Sequence, residues 1–208
     1  MVAFDLQDPA KERILEHARA RFFADGFARV SVDEITSELG MSKKTFYKHF
    51  DRKEDLVHSI VARMLGEADM RVQAVLSMQA PFPDKLDALM KLVGIVFKTI
   101  SKNMLRDLQT YAPEDWQNIQ TFRRQRVFTT WATLFDEGKR TGYVRPNIDH
   151  RVFHLALYST IEGIINPTVL ANESFSADEA LQSIAAIFLT GILTPDAAQT
   201  FHNLPHNS

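Results

Sequence analysis

The chain is 208 residues long, 45% hydrophobic, and carries a formal net charge of -2. Such a chain can bury a sizeable core, and a near-neutral balance means that a nucleic-acid partner would have to be met by a local basic cluster. The absence of cysteine excludes a disulfide framework, a thiolate zinc site and a cysteine nucleophile.

Met1 to Asp8 holds two acidic residues and no basic run, and no apolar stretch approaches the roughly 20 residues needed to span a bilayer. A cytoplasmic protein with a flexible segment at 1–8 and no membrane partner is expected. From Pro9, the residues Ile14, Leu15, Ala18 and Phe22 recur at helical spacing, and Asp25-Gly26 closes the helix. Ser31-Val32-Asp33-Glu34 is a capping box that opens a second, short helix whose apolar stripe is Val32, Ile35 and Leu39. Gly40 stops that helix, and after Met41 the side chain of Ser42 can cap a third. Two helices joined this tightly predict a helix-turn-helix. On the third helix, expected over Ser42–Phe50, a 100° step puts Phe46 and Phe50 on one side and Lys43, Lys44, Tyr47 and Lys48 on the other.

Downstream, apolar periodicity predicts a helix to about Met78, another through Leu86–Ile100, a short segment near Met104–Tyr111, and a long helix from Pro113 to about Arg140. Gly138 and Gly142 are read as its end. Asp149 is expected to cap a helix running to Ala171, and Ser176 with Glu179 forms a second capping box before a helix to Leu193. No strand pattern is found. The fold class expected is all-α, with a three-helix region at 9–55, a larger helical region at 56–193, and a flexible tail at 194–208.

The run Gly40-Met41-Ser42-Lys43-Lys44-Thr45-Phe46-Tyr47-Lys48-His49-Phe50, followed by Arg52-Lys53-Glu54-Asp55-Leu56, resembles the DNA-binding signature of the TetR family of regulators. Phe22 to Phe27 upstream and the Ile35–Leu39 stripe share the likeness, which covers roughly Lys11 to Val61. The resemblance implies a three-helix DNA-binding domain at 9–55, a larger helical effector-binding and dimerisation domain with a ligand cavity at 56–193, and a homodimer whose recognition helices enter successive major grooves. It carries base or phosphate contacts to Ser31, Lys43, Lys44, Thr45, Tyr47, His49 and Lys53, with Ser42 and Lys48 completing the set. Lys44 stands where the family commonly has a small residue or proline, so an extra cation there shifts base preference or adds a phosphate contact.

The residues make a case of their own. Lysines neutralise phosphates or donate to guanine edges, and tyrosine donates to phosphate oxygens. An ordinary solvated helix face would also carry Lys43, Lys44 and Lys48. The two glycine stops and Lys53 decide for DNA.

An effector pocket for a small apolar or amphipathic molecule is assigned to Phe97, Met104, Tyr111, Trp116, Phe128, Trp131, Phe135 and Tyr158, some of which are expected to be core instead. Helices Asp149–Ala171 and Ser176–Leu193 are more apolar than a monomer's surface requires, which predicts a dimer interface at Leu155, Tyr158, Ile161, Ile165, Ile184, Ile187, Phe188 and Gly191. His150 and His154 have metal-ligand spacing without a third ligand, so a capping or interface role is preferred and neither metal nor cofactor is expected. With no phosphate loop, nucleophile elbow or metal set, an enzyme with a DNA-binding head is disfavoured. The function expected is a DNA-binding repressor released by a small molecule; the alternative is a regulator with no effector.

Overall fold

A computed structural model describes residues 8–202. The remainder of the expected N-terminal segment and of the expected tail lies outside the described residues. The helices are α1 (Pro9–Asp25), α2 (Val32–Glu38), α3 (Lys43–Tyr47), α4 (Lys53–Leu76), α5 (Phe82–Thr99) and α6 (Lys102–Tyr111). They continue with α7 (Pro113–Arg140), α8 (His150–Ile164), α9 (Pro167–Asn172), α10 (Ala177–Ile192) and α11 (Pro195–His202). Among the described residues no strand forms, and one isolated antiparallel bridge pairs Val144 with Leu193.

The helices sort into two compact units. One holds the chain up to Gly66 together with Thr99–Ile119, and the other holds Glu67–Lys98 and the chain from Gln120 onward. This departs from the expected boundary at 55/56, and the reason is packing. Met104, Leu108 and Ile119 are buried in the same apolar cluster as Ile14, Phe22, Ile35, Phe46 and Leu56, so α6 and the start of α7 complete the core of the first unit. The Ser101 N–H also donates to the Phe23 carbonyl at 2.9 Å.

In the second unit, Phe82, Leu86, Leu134, Phe135, Phe153, Leu157, Ile165 and Ile184 are buried. Lys85 and Glu137 form a largely buried ion pair at 2.9 Å. Gly138 lies inside α7 rather than at its end. A Cβ there would stand 2.5 Å from Val144 Cγ2 and 2.9 Å from Phe82, so the glycine serves close packing, while Gly142, at φ 81°, makes the turn.

Two further expectations are corrected. The helix from Asp149 stops at Ile164 because Pro167 restricts the residue before it, and Asn166 caps a separate α9 through the Val169 N–H at 3.0 Å. The tail holds α11, within which Ala197 is buried. No helix among the described residues is long and apolar enough to cross a membrane.

Candidate nucleic-acid interface

The helix-turn-helix is assembled from local signals. Ser31 caps α2 by accepting the Glu34 N–H, and Glu34 Oε2 accepts the Ser31 N–H at 2.7 Å, which holds the Glu34 carboxyl below the usual carboxylate range. Gly40 has φ 62°, a left-handed conformation with open space around it, so the turn selects glycine for its backbone and not for its size. The Met41 N–H closes the turn on the Thr36 carbonyl at 2.8 Å. Ser42 then caps α3 through the Thr45 N–H at 3.1 Å, with the Thr45 hydroxyl 3.0 Å from its own.

Phe46 is completely buried and Phe50 nearly so, with ring centroids 5.7 Å apart. Burying the first of these fixes the rotation of α3 and leaves Lys43, Lys44, Tyr47 and Lys48 facing solvent. Tyr47 is 50% exposed, and its hydroxyl is available to a partner surface. Among the described residues Lys44 has no ion-pair partner. Lys48 stands 3.8 Å from Asp8, the N-cap of α1. Lys43 is tied at 2.7 Å to Asp33 of α2, which raises its affinity for its proton and holds the side chain across the two helices.

Four sequence-predicted residues are engaged within the chain. Lys53 is turned inward: its Nζ donates to the Phe27 and Val30 carbonyls at 2.9 and 3.2 Å and lies over the Phe27 ring. A lysine bound by two carbonyls steadies the α1–α2 turn and is not a free cation. The His49 side chain is 8% exposed, with Nε2 3.7 Å from Asp8. The hydroxyls of Ser31 and Ser42 are engaged as caps.

Two residues absent from the expectation matter. Asp33 was hidden within the capping box, where an acid is unremarkable. Asp107 is 1% exposed, and its Oδ2 accepts the Ala28 N–H at 2.8 Å, pinning the α1–α2 turn to α6. Its one signal in the sequence is position, an acid on the Met104–Leu108 apolar stripe. Opposite it, Gly26 has φ 85°, and a Cβ there would lie 2.5 Å from Asp107 Oδ2.

Residues 14–60 match the model of bacterial regulatory proteins of the tetR family. The likeness to that family runs from α1 into α4. An HTH-type transcriptional regulator of Bacillus subtilis, YvaF, is 22% identical over 191 residues, spanning 90% of this chain and 97% of its own. Among solved structures, a transcriptional regulator from Cytophaga hutchinsonii superposes with a TM-score of 0.68 at 22% identity, covering 90% of this chain and all of its own. Another, from Saccharomonospora viridis in complex with choline, gives 0.67 at 24% identity, covering 89% and 98%. These likenesses extend the TetR fold over both units. The relative and the neighbours it resembles are transcriptional regulators.

The expected effector residues are scattered. Met104 is 1% exposed and Trp116 packs on the same core, so both belong to the N-terminal unit, and Tyr111 is exposed. Trp131 and Phe135 are buried in a ring cluster with Phe153, and Phe97 lies under the Arg123 guanidinium. Phe128 and Tyr158 do line a cavity of about 530 Å³ between α7 and α8, beside Thr121, Arg124, Gln125, Thr129, His154 and Leu155.

The expected interface residues divide as well. Leu155, Ile187 and Gly191 are exposed, together with Val152, which was not anticipated. Ile161, Ile165 and Ile184 are buried within the chain itself, so they serve its own core and are not available to a partner. Phe188 and Tyr158 are half-buried. His154 is buried among aromatic rings, and no cluster of three metal-ligating side chains occurs among the described residues.

Proposed function

We propose that this regulator acts as a homodimeric repressor that binds operator DNA through α3 and is released by a small molecule held in its C-terminal unit. The observation that carries the DNA-binding part is the solvent-facing set Lys44, Tyr47 and Lys48 over a completely buried Phe46. A rigidly seated short helix with cations and a tyrosine outward is what a major groove accepts. Thr45 and Lys43 stand at the helix start, where base edges are read, and Ser31, Ser42 and His49 flank it.

Dimerisation is supported by Val152 on α8 and Ile187 on α10, each more than 60% exposed and each apolar. Ala156, Ser159, Gly163, Ala186 and Gly191 on the same exposed faces let helices approach closely. The effector part is supported by the α7–α8 cavity, and by the choline found with the Saccharomonospora viridis regulator.

Selection of bound duplexes from a random pool, joined to sedimentation of the free protein, tests the reading. The expected result is a dimer that enriches an inverted repeat with half-site centres about one helical turn, or a multiple of it, apart. A monomer, or enrichment of a single unrepeated site, would contradict it.

A further inference from the structure

The cavity between α7 and α8 has a composition that selects a ligand. Its walls are mostly carbon, with Phe128 and Leu155 exposed along one side, which leaves it open to solvent there. Besides Thr121, Gln125, Thr129 and Tyr158, two nitrogen-bearing side chains that can bind an acid or a hydroxyl interrupt that surface. His154 is 2% exposed, and neither ring nitrogen has a hydrogen-bond partner among the described residues. Phe128, Phe135, Phe153 and His150 pack around it at ring-centroid distances of 5.2–6.1 Å, and the Trp131 backbone lies near without completing a hydrogen bond. A buried imidazole normally finds at least one partner, so one left bare beside a cavity is matched to something that enters it.

The second feature is Arg124. Its guanidinium lies over the Tyr158 ring at 5.9 Å, and among the described residues no carboxylate forms an ion pair with it. The nearby acid, Glu162, is engaged by Gln120 at 3.1 Å and by the buried Arg123 at 3.5 Å. Among the described residues Arg124 is the one arginine, lysine or carboxylate lining the cavity, and its field is positive.

We infer that the α7–α8 cavity binds an aromatic carboxylate bearing a hydroxyl group, its ring against Phe128 and Leu155, its carboxylate on Arg124 and its hydroxyl on His154. A neutral imidazole offers one donor and one acceptor, which a hydroxyl satisfies through one nitrogen while the ring stays uncharged. A guanidinium takes a carboxylate through two parallel bonds. A cavity of about 530 Å³ lies within the range of small-molecule sites. The inference rests on the proposed effector response and names its ligand class.

The probe is 6-hydroxy-2-naphthoate, titrated calorimetrically into the full-length protein and compared with 2-naphthoate and 2-naphthol. Saturable binding of one molecule per chain is expected, weakened about ten- to a hundredfold without the carboxylate and severalfold or more without the hydroxyl. Arg124→Gln should abolish the advantage of the carboxylate, and His154→Phe that of the hydroxyl. The Arg124 arm decides alone if the buried substitution unfolds the chain. Equal binding of the three probes, no binding, or a carboxylate preference untouched by Arg124→Gln would overturn the assignment. Operator release is read separately in the same samples. Selective binding without release would leave the ligand site standing and remove the effector response, whereas release that ignores Arg124 would do the reverse.

Discussion

Asp107→Ala should loosen the first unit at the turn that leads into the helix-turn-helix. In the native structure Asp107 Oδ2 accepts the Ala28 N–H at 2.8 Å, and the carboxylate fills the space opposite Gly26. A hydrogen bond to a charged acceptor is worth about 1.5–3 kcal/mol, and truncation also leaves a void against the Gly26 backbone. Part of that is offset, because Oδ1 accepts no hydrogen bond among the described residues and the Arg106 guanidinium is 3.5 Å away, so the buried charge is incompletely compensated. The net loss expected is about 2 kcal/mol. If the chain unfolds as one transition, that lowers Tm by about 4–8 °C. Asp107→Asn keeps an acceptor of the same shape and should lose less than the alanine variant. Thermal unfolding followed by far-ultraviolet circular dichroism reads both, and operator affinity should fall severalfold because Ala28 leads directly into the Ser31 cap of α2. An alanine variant that melts within about 1 °C of wild type and binds DNA equally well would refute the reasoning.

Other predictions follow from the same contacts. Asp33→Asn frees Lys43 from its 2.7 Å ion pair and removes a negative charge from the face of α3. Affinity for operator and scrambled duplex should therefore both rise, by about two- to fivefold at low salt, as fluorescence anisotropy would show; an unchanged or weaker affinity would contradict the placement of Asp33. Burial holds the His154 pKa below its ordinary value of 6.5, aided by the neighbouring His150 and countered by the Trp131 backbone and Asp136. The unfolded chain therefore binds a proton that the folded chain refuses, so stability falls as pH drops below about 6.5. Denaturant unfolding at pH 7 and pH 5.5 should show this decline in wild type and a smaller one in His154→Phe. Asp149 and Glu38, whose pKa values lie below the usual carboxylate range, lose their stabilisation only at lower pH. Equal declines in the two proteins would contradict the assignment. Ile187→Glu places a charge on the proposed partner face and should shift sedimentation toward monomer, while a persistent dimer would move the interface elsewhere.

The sequence was most legible where structure is decided within a few residues. Both capping boxes, the glycine at 40 and the Phe46–Phe50 pair are local signals, and each is where the spacing put it. Legibility failed where a distant contact decides. Lys53 looked like a cation at a helix start, but the Phe27 and Val30 carbonyls that hold it are more than 20 residues away in sequence. Periodicity predicted that Ile161, Ile165 and Ile184 would be buried, and they are, but it cannot say whether the burying surface belongs to the same chain. Gly138 read as a helix stop because the Val144 and Phe82 side chains that require it come from other elements. Of the candidate pocket, aromatic content found Phe128 and Tyr158. His154, singled out only for its spacing from His150, acquires its interest, like Arg124, from the cavity it lines.

The central claim is that α3 presents its solvent face to DNA, and its most direct test is operator affinity across a salt series for wild type, Lys44→Ala and Tyr47→Ala. The account predicts saturable wild-type binding that weakens steeply with salt, a salt slope reduced by about one in Lys44→Ala if it contacts a phosphate, and weaker binding in Tyr47→Ala. Full-affinity binding in both variants with an unchanged salt slope would contradict it.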